Sequence, residues 1–368
     1  MRQTETAVRG TRGARSSRSW LGRGSGRNRG NGASAADAES GAGGESGAGD
    51  GSGTDGASGV GGRTRGRVLV LLSLLVACLL IFHSAVPNTV GRLGSLLETF
   101  LPWLGLTVPV LVGLASLRRR RWTVVLSTLL PLAAWLGLFG GLFLSRSDAE
   151  YDITALQHNV SDVNPDPSGA ARKLLGTDAD LIALEELTPA ALPVFKAELA
   201  PEYRHHASVG TVGLWSKYPL AGIKRVDIKP AGIGPGWDRG LRATARTPHG
   251  DVAVYVAHLP SVRLGLAKGF NTAWRDESAA LLGTAIAAER LDKVILLGDL
   301  NSTVDDRGLD PVSSRLDPPG PGFALSWPAA FPLARIDQIM TRAAPVTHVW
   351  SLPSTGSDHL PIAARIRL

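Results

Sequence analysis

Cysteine is almost absent. Cys78 is the only one in 368 residues, so no intrachain disulfide can form and no cysteine-based zinc site can be assembled. Lysine is scarce as well. The seven lysines all lie at or beyond Lys173 and are scattered, which leaves no lysine-rich face of the kind that grips nucleic acid. No Gly-rich phosphate loop of the P-loop or dinucleotide type occurs, and those nucleotide-binding classes are set aside. A long internal repeat is also missing.

What is present changes along the chain. Residues 1–66 are Gly, Ser, Ala and Arg with almost no apolar periodicity, too little to offset the entropy of ordering. A disordered cytoplasmic tail is expected there. It holds a basic block from Arg2 to Arg29 and an acidic one from Asp37 to Asp55. Residues 67–146 are overwhelmingly apolar, and runs at 68–86, 99–117 and 122–144 approach the roughly 20 residues needed to cross a bilayer. Three transmembrane helices are therefore expected. Arg63, Arg65 and Arg67 precede the first run and Arg118 to Arg121 separate the last two, whereas the first loop carries only Arg92. The positive-inside rule then predicts a multi-pass membrane protein with its tail in the cytoplasm and residues 147–368 outside, and the Arg-rich, Lys-poor, Gly- and Ala-rich composition points to a GC-rich bacterium.

Charge is divided in the same way. Residues 151–368 carry 22 Lys and Arg against 23 Asp and Glu, a net of about −1, while the rest of the chain carries about +8. The overall pI of 9.9 belongs to the tail and loops. It says nothing for nucleic-acid binding by the C-terminal part.

In that part, short β-like runs alternate with helical ones. "YDITALQHN", "ADLIALEEL", "TVGLWSKYPL", "KVILLGDLN", "ARIDQIM" and "PIAARIRL" read as strands, and "LRATARTPHGDVAVYVAHL" as a hairpin. Helices are expected at 167–175, over "AALPVFKAELA" behind Thr188 and Pro189, and at 273–290. Hairpins with interspersed helices point to an α/β fold with two sheets and helices outside. Gly298 is expected to let the backbone turn.

Polar residues recur at the strand ends: Asn159, Glu185 and Glu186, His258, Asp299 with Asn301, Asp337, and Asp358 with His359. Each alone could cap a strand or start a turn. Together, at one rim, they suit phosphate-ester hydrolysis. Carboxylate and amide oxygens are hard ligands for magnesium, and Glu186 with Asn159 would hold the ion. Asp299 would orient or deprotonate the attacking water, Asn301 would bond a phosphoryl oxygen, and His359 would act beside Asp337 as base or charge stabiliser. His258 would face the phosphate from the other side.

The ordered motifs "LQHN", "DLIALEEL", "VGLWSKYPL", "VYVAHLPS", "VILLGDLNS", "SWP", "ARIDQIM" and "GSDHLPI" resemble those of the endonuclease/exonuclease/phosphatase family, the DNase I-like fold. The resemblance implies a four-layer α/β/β/α sandwich and catalysis with a divalent cation, magnesium or manganese. It assigns Asn159 and Glu186 to the metal, with Asp358 near the metal or its water. It assigns His258, Asp299 and Asn301 to the scissile phosphate, and pairs Asp337 with His359. Two positions depart from the family pattern: Glu185 replaces the usual Gln, and Ala257 the usual Thr before the His. The membrane-anchored arrangement is similar to that of VanJ-like members, which implies a lipid-linked substrate such as an isoprenoid pyrophosphate. An extracellular nuclease acting on nucleic acid, and a non-catalytic membrane sensor or scaffold, stay open as alternatives.

Overall fold

In the computed structural model, which describes residues 56–117, 122–144, 149–265, 269–318 and 320–368, four helices come first. They are α1 (Gly56–Ile81), α2 (Leu93–Thr99), α3 (Thr107–Ser116) and α4 (Trp122–Phe139). Next come β1 (Ile153–Asn159), α5 (Pro167–Leu175), β2 (Leu181–Glu185), α6 (Ala191–Leu199), β3 (His205–Val209), β4 (Val212–Ser216), β5 (Leu220–Arg225), β6 (Gly240–Thr247) and β7 (Gly250–Ala257). The chain continues through β8 (Arg263–Gly265), β9 (Gly269–Asn271), α7 (Ala273–Ala287), β10 (Val294–Asp299), α8 (Asp310–Ser313), β11 (Asp337–Arg342), β12 (Val346–Ser351) and β13 (Ile362–Ile366). The tail expected to be disordered lies outside the described residues as far as Asp55.

Two sheets dominate. One runs β12-β13-β1-β2-β4-β3 and the other β11-β10-β7-β6-β5. Their central strands are apolar on both faces, and the alternation of a strand divides those residues between two cores. On β10, Ile295 and Leu297 enter the core between the sheets while Val294 and Leu296 meet α7 and α8. On β2, Leu181 and Ala183 face the other sheet while Ile182 and Leu184 pack against the α5–α6 layer. Each fully buried Leu or Ile contributes about 1.5–3 kcal/mol of transfer free energy. The layers are therefore helix, sheet, sheet, helix. Asp166 caps α5 by accepting from Gly169 N (2.8 Å), and Thr188 Oγ1 accepts from Ala191 N (3.0 Å) at the start of α6. Gly298 does not serve a turn. A Cβ there would lie 1.9 Å from Ala257 O, so glycine is required by the close approach of β7 to β10.

The expectation of three transmembrane helices is corrected. Among the described residues one helix is long and apolar enough to cross a membrane, with Leu126–Phe143 as its apolar window. A second is reached only if α2 and the following Leu101–Ser116 are counted as one span despite a 68° bend. The apolar part of α1 is Gly66–Ile81, short of a span, because its helix begins among arginines and stops before the 3-10 turn at His83. The second run breaks at Phe100, where Pro102 opens a 3-10 segment. Run length overlooked both breaks. The multi-pass membrane localisation, which rested on three spans and their loop charges, is corrected with it.

These helices belong to the same compact unit as the sandwich, Asp55–Leu368. Trp103 Nε1 donates to Leu333 O (2.6 Å), Phe270 N to Gly91 O (2.9 Å) and Gly322 N to Leu142 O (3.0 Å). Glu98, 1 % exposed at its side chain, takes Arg307 Nη2 at 2.7 Å and the Arg307 backbone N–H at 3.1 Å. Arg92 pairs with Asp276 at 2.8 Å.

Candidate active site

Strand parity builds the site. Ile153 and Ala155 on β1, Leu181 and Ala183 on β2, Val252, Val254 and Val256 on β7, Ile295 and Leu297 on β10, and Ile339 on β11 all face the inter-sheet core. Two residues further along those faces come Gln157, with Asn159 two beyond it, Glu185, His258, Asp299, and, reading backwards on β11, Asp337. All six are buried. The polar cluster is thus one end of the apolar layer between the sheets, where its aliphatic residues give way to carboxylates, amides and imidazoles. Register completes the alignment: Asn159 stands opposite Glu185, and Asp299 opposite Asp337.

Glu186 and Asn301, the residues that follow Glu185 and Leu300, adopt left-handed backbone (φ +57° and +47°). That breaks the strand alternation and turns both side chains toward the rim; Asn tolerates the conformation better than Glu does. Glu186 Oε2 accepts from Asp162 N (3.1 Å). Asn301 donates from its backbone N to Asp299 Oδ1 (2.9 Å) and from Nδ2 to Leu259 O (2.9 Å).

Asp299 is the hub. Asn159 Nδ2 donates to its Oδ2 (2.9 Å), His258 Nε2 lies 3.6 Å from that oxygen and His359 Nε2 3.8 Å. His359 Nδ1 is bonded to Asp337 Oδ2 (2.8 Å), whose Oδ1 accepts from Gln157 Nε2 (3.0 Å). Ser357 Oγ accepts from His359 N (3.0 Å) and donates to Asn159 O (2.7 Å).

The electrostatics follow from burial and proximity. Burial opposes the charged imidazolium of His359, but Asp337 and Asp299 overcome it and carry its pKa up to about 10. Burial raises Asp299 to about 7, with Asp337 acting in the same direction and His359 against it. Asp337 would be raised by burial too, yet its contacts with His359 hold it below the usual carboxylate range. Glu185 is driven well above that range by burial and by Asp337 and Asp299, which favours its neutral acid form. His258 is held well below the usual imidazole range by burial and the Arg239 guanidinium, and stays neutral.

The donor set fits a hard divalent cation. Carboxylate oxygens of Asp299 and Asp337 lie within 4.8 Å of each other and of a ring nitrogen of His359, which ligates only when deprotonated. Buried Glu185 Oε1 and Gln157 Oε1 have no hydrogen-bond partner. Three buried carboxyl groups thus face one imidazolium, and the remaining acceptors are oxygens. Asn159 and Glu186 stand at the edge of this group. Asp358 does not join it: its side chain is exposed and acts on His359 only through its charge.

Arg239 was not singled out from the sequence. Its Nη1 lies 3.1 Å from His258 Nδ1 and its guanidinium 5.1 Å above the Trp237 ring. The only signal was "GWDRG" just ahead of β6. Gln157 and Ser357 were also overlooked, although each lies inside a quoted motif.

The family model described as Endonuclease/Exonuclease/phosphatase family matches residues 143–359. No curated protein matches the chain. Among solved structures, the chain is similar to beta toxin of Staphylococcus aureus with bound magnesium ions (16 % identity, TM-score 0.46, covering 58 % of this chain and 99 % of that one). It is also similar to sphingomyelinase C of Streptomyces griseocarneus (18 %, TM-score 0.45, 58 % and 98 %). An endonuclease/exonuclease/phosphatase from Bacteroides vulgatus is a third (16 %, TM-score 0.48, 60 % and 100 %).

Proposed function

Because the chain belongs to the endonuclease/exonuclease/phosphatase family, and is a metal-dependent hydrolase of phosphoester bonds, we propose that its substrate is a lipid-linked phosphate ester or anhydride. In this reading the apolar helices hold the enzyme at a lipid surface, as in VanJ-like members, and the substrate is an isoprenoid pyrophosphate or a close analogue. The observation that carries the chemistry is the buried Asp299, Asp337 and His359 group at the end of the inter-sheet layer. The lipid is supported by a second feature. An apolar cavity of about 300 Å³, lined by Trp103, Leu106, Trp135, Phe323 and Leu325 among others, lies between the helices and the segment that leads to Ser326 and Asp337.

Glu186 and Asn159 would hold the divalent cation, magnesium by the hardness of these donors, and it would supply charge neutralisation at the phosphoryl oxygens. Asp299 orients the attacking water and accepts its proton. Asn301 and Asn159 fix the Asp299 carboxylate, each by a hydrogen bond of 2.9 Å. His359, kept cationic by Asp337, donates from Nε2 to a phosphoryl oxygen and stabilises charge that grows in the transition state. His258, neutral, lines the opposite side. The segment 67–146 is assigned to anchoring and 147–368 to catalysis.

The test offers the full chain in detergent micelles a prenyl diphosphate and plasmid DNA, with magnesium and then with EDTA, beside Glu186→Ala and His359→Ala. Magnesium-dependent phosphate release from the lipid, lost in both variants, is the expected result. Cleavage of DNA alone would replace the lipid reading with a nuclease, and no turnover of any phosphoester would end the hydrolase assignment of these residues.

A further inference from the structure

Beside His258 opens a cavity of about 690 Å³ lined by Trp237, Arg239, Arg263, Asn271 and Trp274 among others. Three observations give it a ligand chemistry. The first is Arg239. Its guanidinium contacts the His258 ring nitrogens (3.1 and 3.3 Å) and the Trp237 face, and no carboxylate lies within 4.0 Å of it among the described residues. Glu186, Asp299 and Asp162 act on it through their charge without an ion pair, and the acids around the cavity are engaged elsewhere: Asp238 pairs with Arg225, Glu277 accepts from Ala231 N, and Asp276 is held by Arg92, Arg275 and Thr272. A guanidinium has five donors, and here most of them are not spent on a carboxylate.

The second observation is the end of α7. The cavity wall includes Asn271, Ala273 and Trp274, so the first turn of a 15-residue helix opens on it and adds positive potential to that of Arg239 and Arg263. The third is Trp274, 49 % exposed on the same wall. An indole so exposed offers a flat apolar contact next to the cations.

We propose that this cavity binds a second phosphate of the substrate, the one linked to the phosphate undergoing hydrolysis, with Trp274 covering the apolar or planar group attached to it. The inference rests on the phosphoesterase reading and adds to it the place where the second of two adjacent phosphates is held. Arg239 provides the connection: it touches His258, whose Nε2 lies 3.6 Å from Asp299, so one imidazole separates the two anion positions. A prenyl diphosphate and a nucleoside diphosphate share this chemistry.

The experiment is calorimetric titration of the full chain in micelles with inorganic pyrophosphate and with orthophosphate, in metal-free buffer, where a metal-dependent hydrolase does not turn over. The wild type binds pyrophosphate about tenfold or more tightly than orthophosphate, as one added charge-assisted contact implies. Arg239→Gln and Arg263→Gln each shrink that ratio, and Arg239→Lys restores part of it. Equal affinities in the wild type, or an unchanged ratio in both Gln variants with melting midpoints intact, would overturn the site. Hydrolysis of bis(p-nitrophenyl) phosphate by the wild type reports the phosphoesterase reading separately, since that ester has one phosphate only. Trp274→Ala then distinguishes the sources. A selective loss of prenyl diphosphate or of nucleoside diphosphate binding, with pyrophosphate unaffected, supports the indole contact and names its partner; unchanged binding of both overturns it.

Discussion

Ile295, Leu297 and Leu214 of the sandwich are fully buried, whereas Leu71 on α1 is 65 % exposed, Val110 on α3 60 % and Leu126 on α4 59 %. Both regions are rich in aliphatic side chains, yet one turns them inward and the other outward. Polar groups are reversed as well. The sandwich buries carboxylates and imidazoles at one end of its central layer, while the helices bury Glu98 and use it to hold Arg307 of the sandwich. The lesson is that an apolar run does not reveal its surroundings. In β10 it meets two protein layers; in α4 leucines such as Leu126, Leu129 and Leu136 stay exposed.

The comparison can be tested from its strongest contrast down. Removing the buried polar end of the sandwich should abolish chemistry: Asp299→Asn lowers phosphoester hydrolysis by about 10³-fold with its thermal midpoint little changed, and His359→Ala lowers it as far but also lowers the midpoint, because buried Asp337 loses its partner. EDTA should match that loss and added divalent cation should reverse it.

Breaking the tie between the regions comes next. Glu98→Gln leaves Arg307 without its buried carboxylate and costs about 2–3 kcal/mol. Denaturant unfolding followed by far-UV and near-UV signals should then split into two transitions, because the helices loosen before the sandwich. A single unshifted transition would show that the two regions are held by apolar contact alone.

An ion pair inside the sandwich provides the control. Burial opposes ionisation of Glu289, but hydrogen bonds from Arg242 Nε (2.9 Å), Leu291 N (3.1 Å) and Tyr255 Oη (3.0 Å) bring its pKa down to about 2. A folded-state pKa depressed below the unfolded value of 4.5 stabilises the protein fully above that value, and the contribution fades as pH falls toward 2. The stability difference between wild type and Glu289→Gln, about 1 kcal/mol at neutral pH, should therefore shrink between pH 4.5 and pH 2. A pH-independent difference would locate the effect in packing instead.

The smallest effect is expected at Glu185→Gln. Gln157 Nε2 donates to Glu185 Oε2 at 2.8 Å, a bond that an amide oxygen accepts equally well. Activity should stay within about twofold of wild type, the range of a substitution that removes no contact. A large loss would give the second carboxyl a role of its own.

Much of the sandwich was legible because its strands carry a period of two and its helices carry caps. The helix at 167–175 begins and ends as the sequence predicts, whereas α7 stops at Ala287 rather than 290. Short strands such as β3 and β12 gave no alternation strong enough to be read. In the site, the strand-end residues were legible as a set, since Asn159, Glu185, His258 and Asp299 close recognisable strands. Arg239 was not, because a loop residue acquires its neighbours only through tertiary contact. The amide of Asn301, expected on a phosphoryl oxygen, is hydrogen-bonded to Leu259 O and stands 3.3 Å from Asp299.

The sequence by itself determined the strand faces, and through the period of two it determined that carboxylates and imidazoles continue the apolar inter-sheet face. It also determined the family, since ordered motifs survive without knowledge of their packing. Only the tertiary structure decided how many apolar runs are continuous helices, because a 68° bend and a 3-10 turn leave composition unchanged. It alone decided that Glu98 is buried against Arg307 and that Arg239 faces a cavity beside His258. Those facts depend on which distant segments meet, and the free energy of burying a charge is set by the partner it finds there.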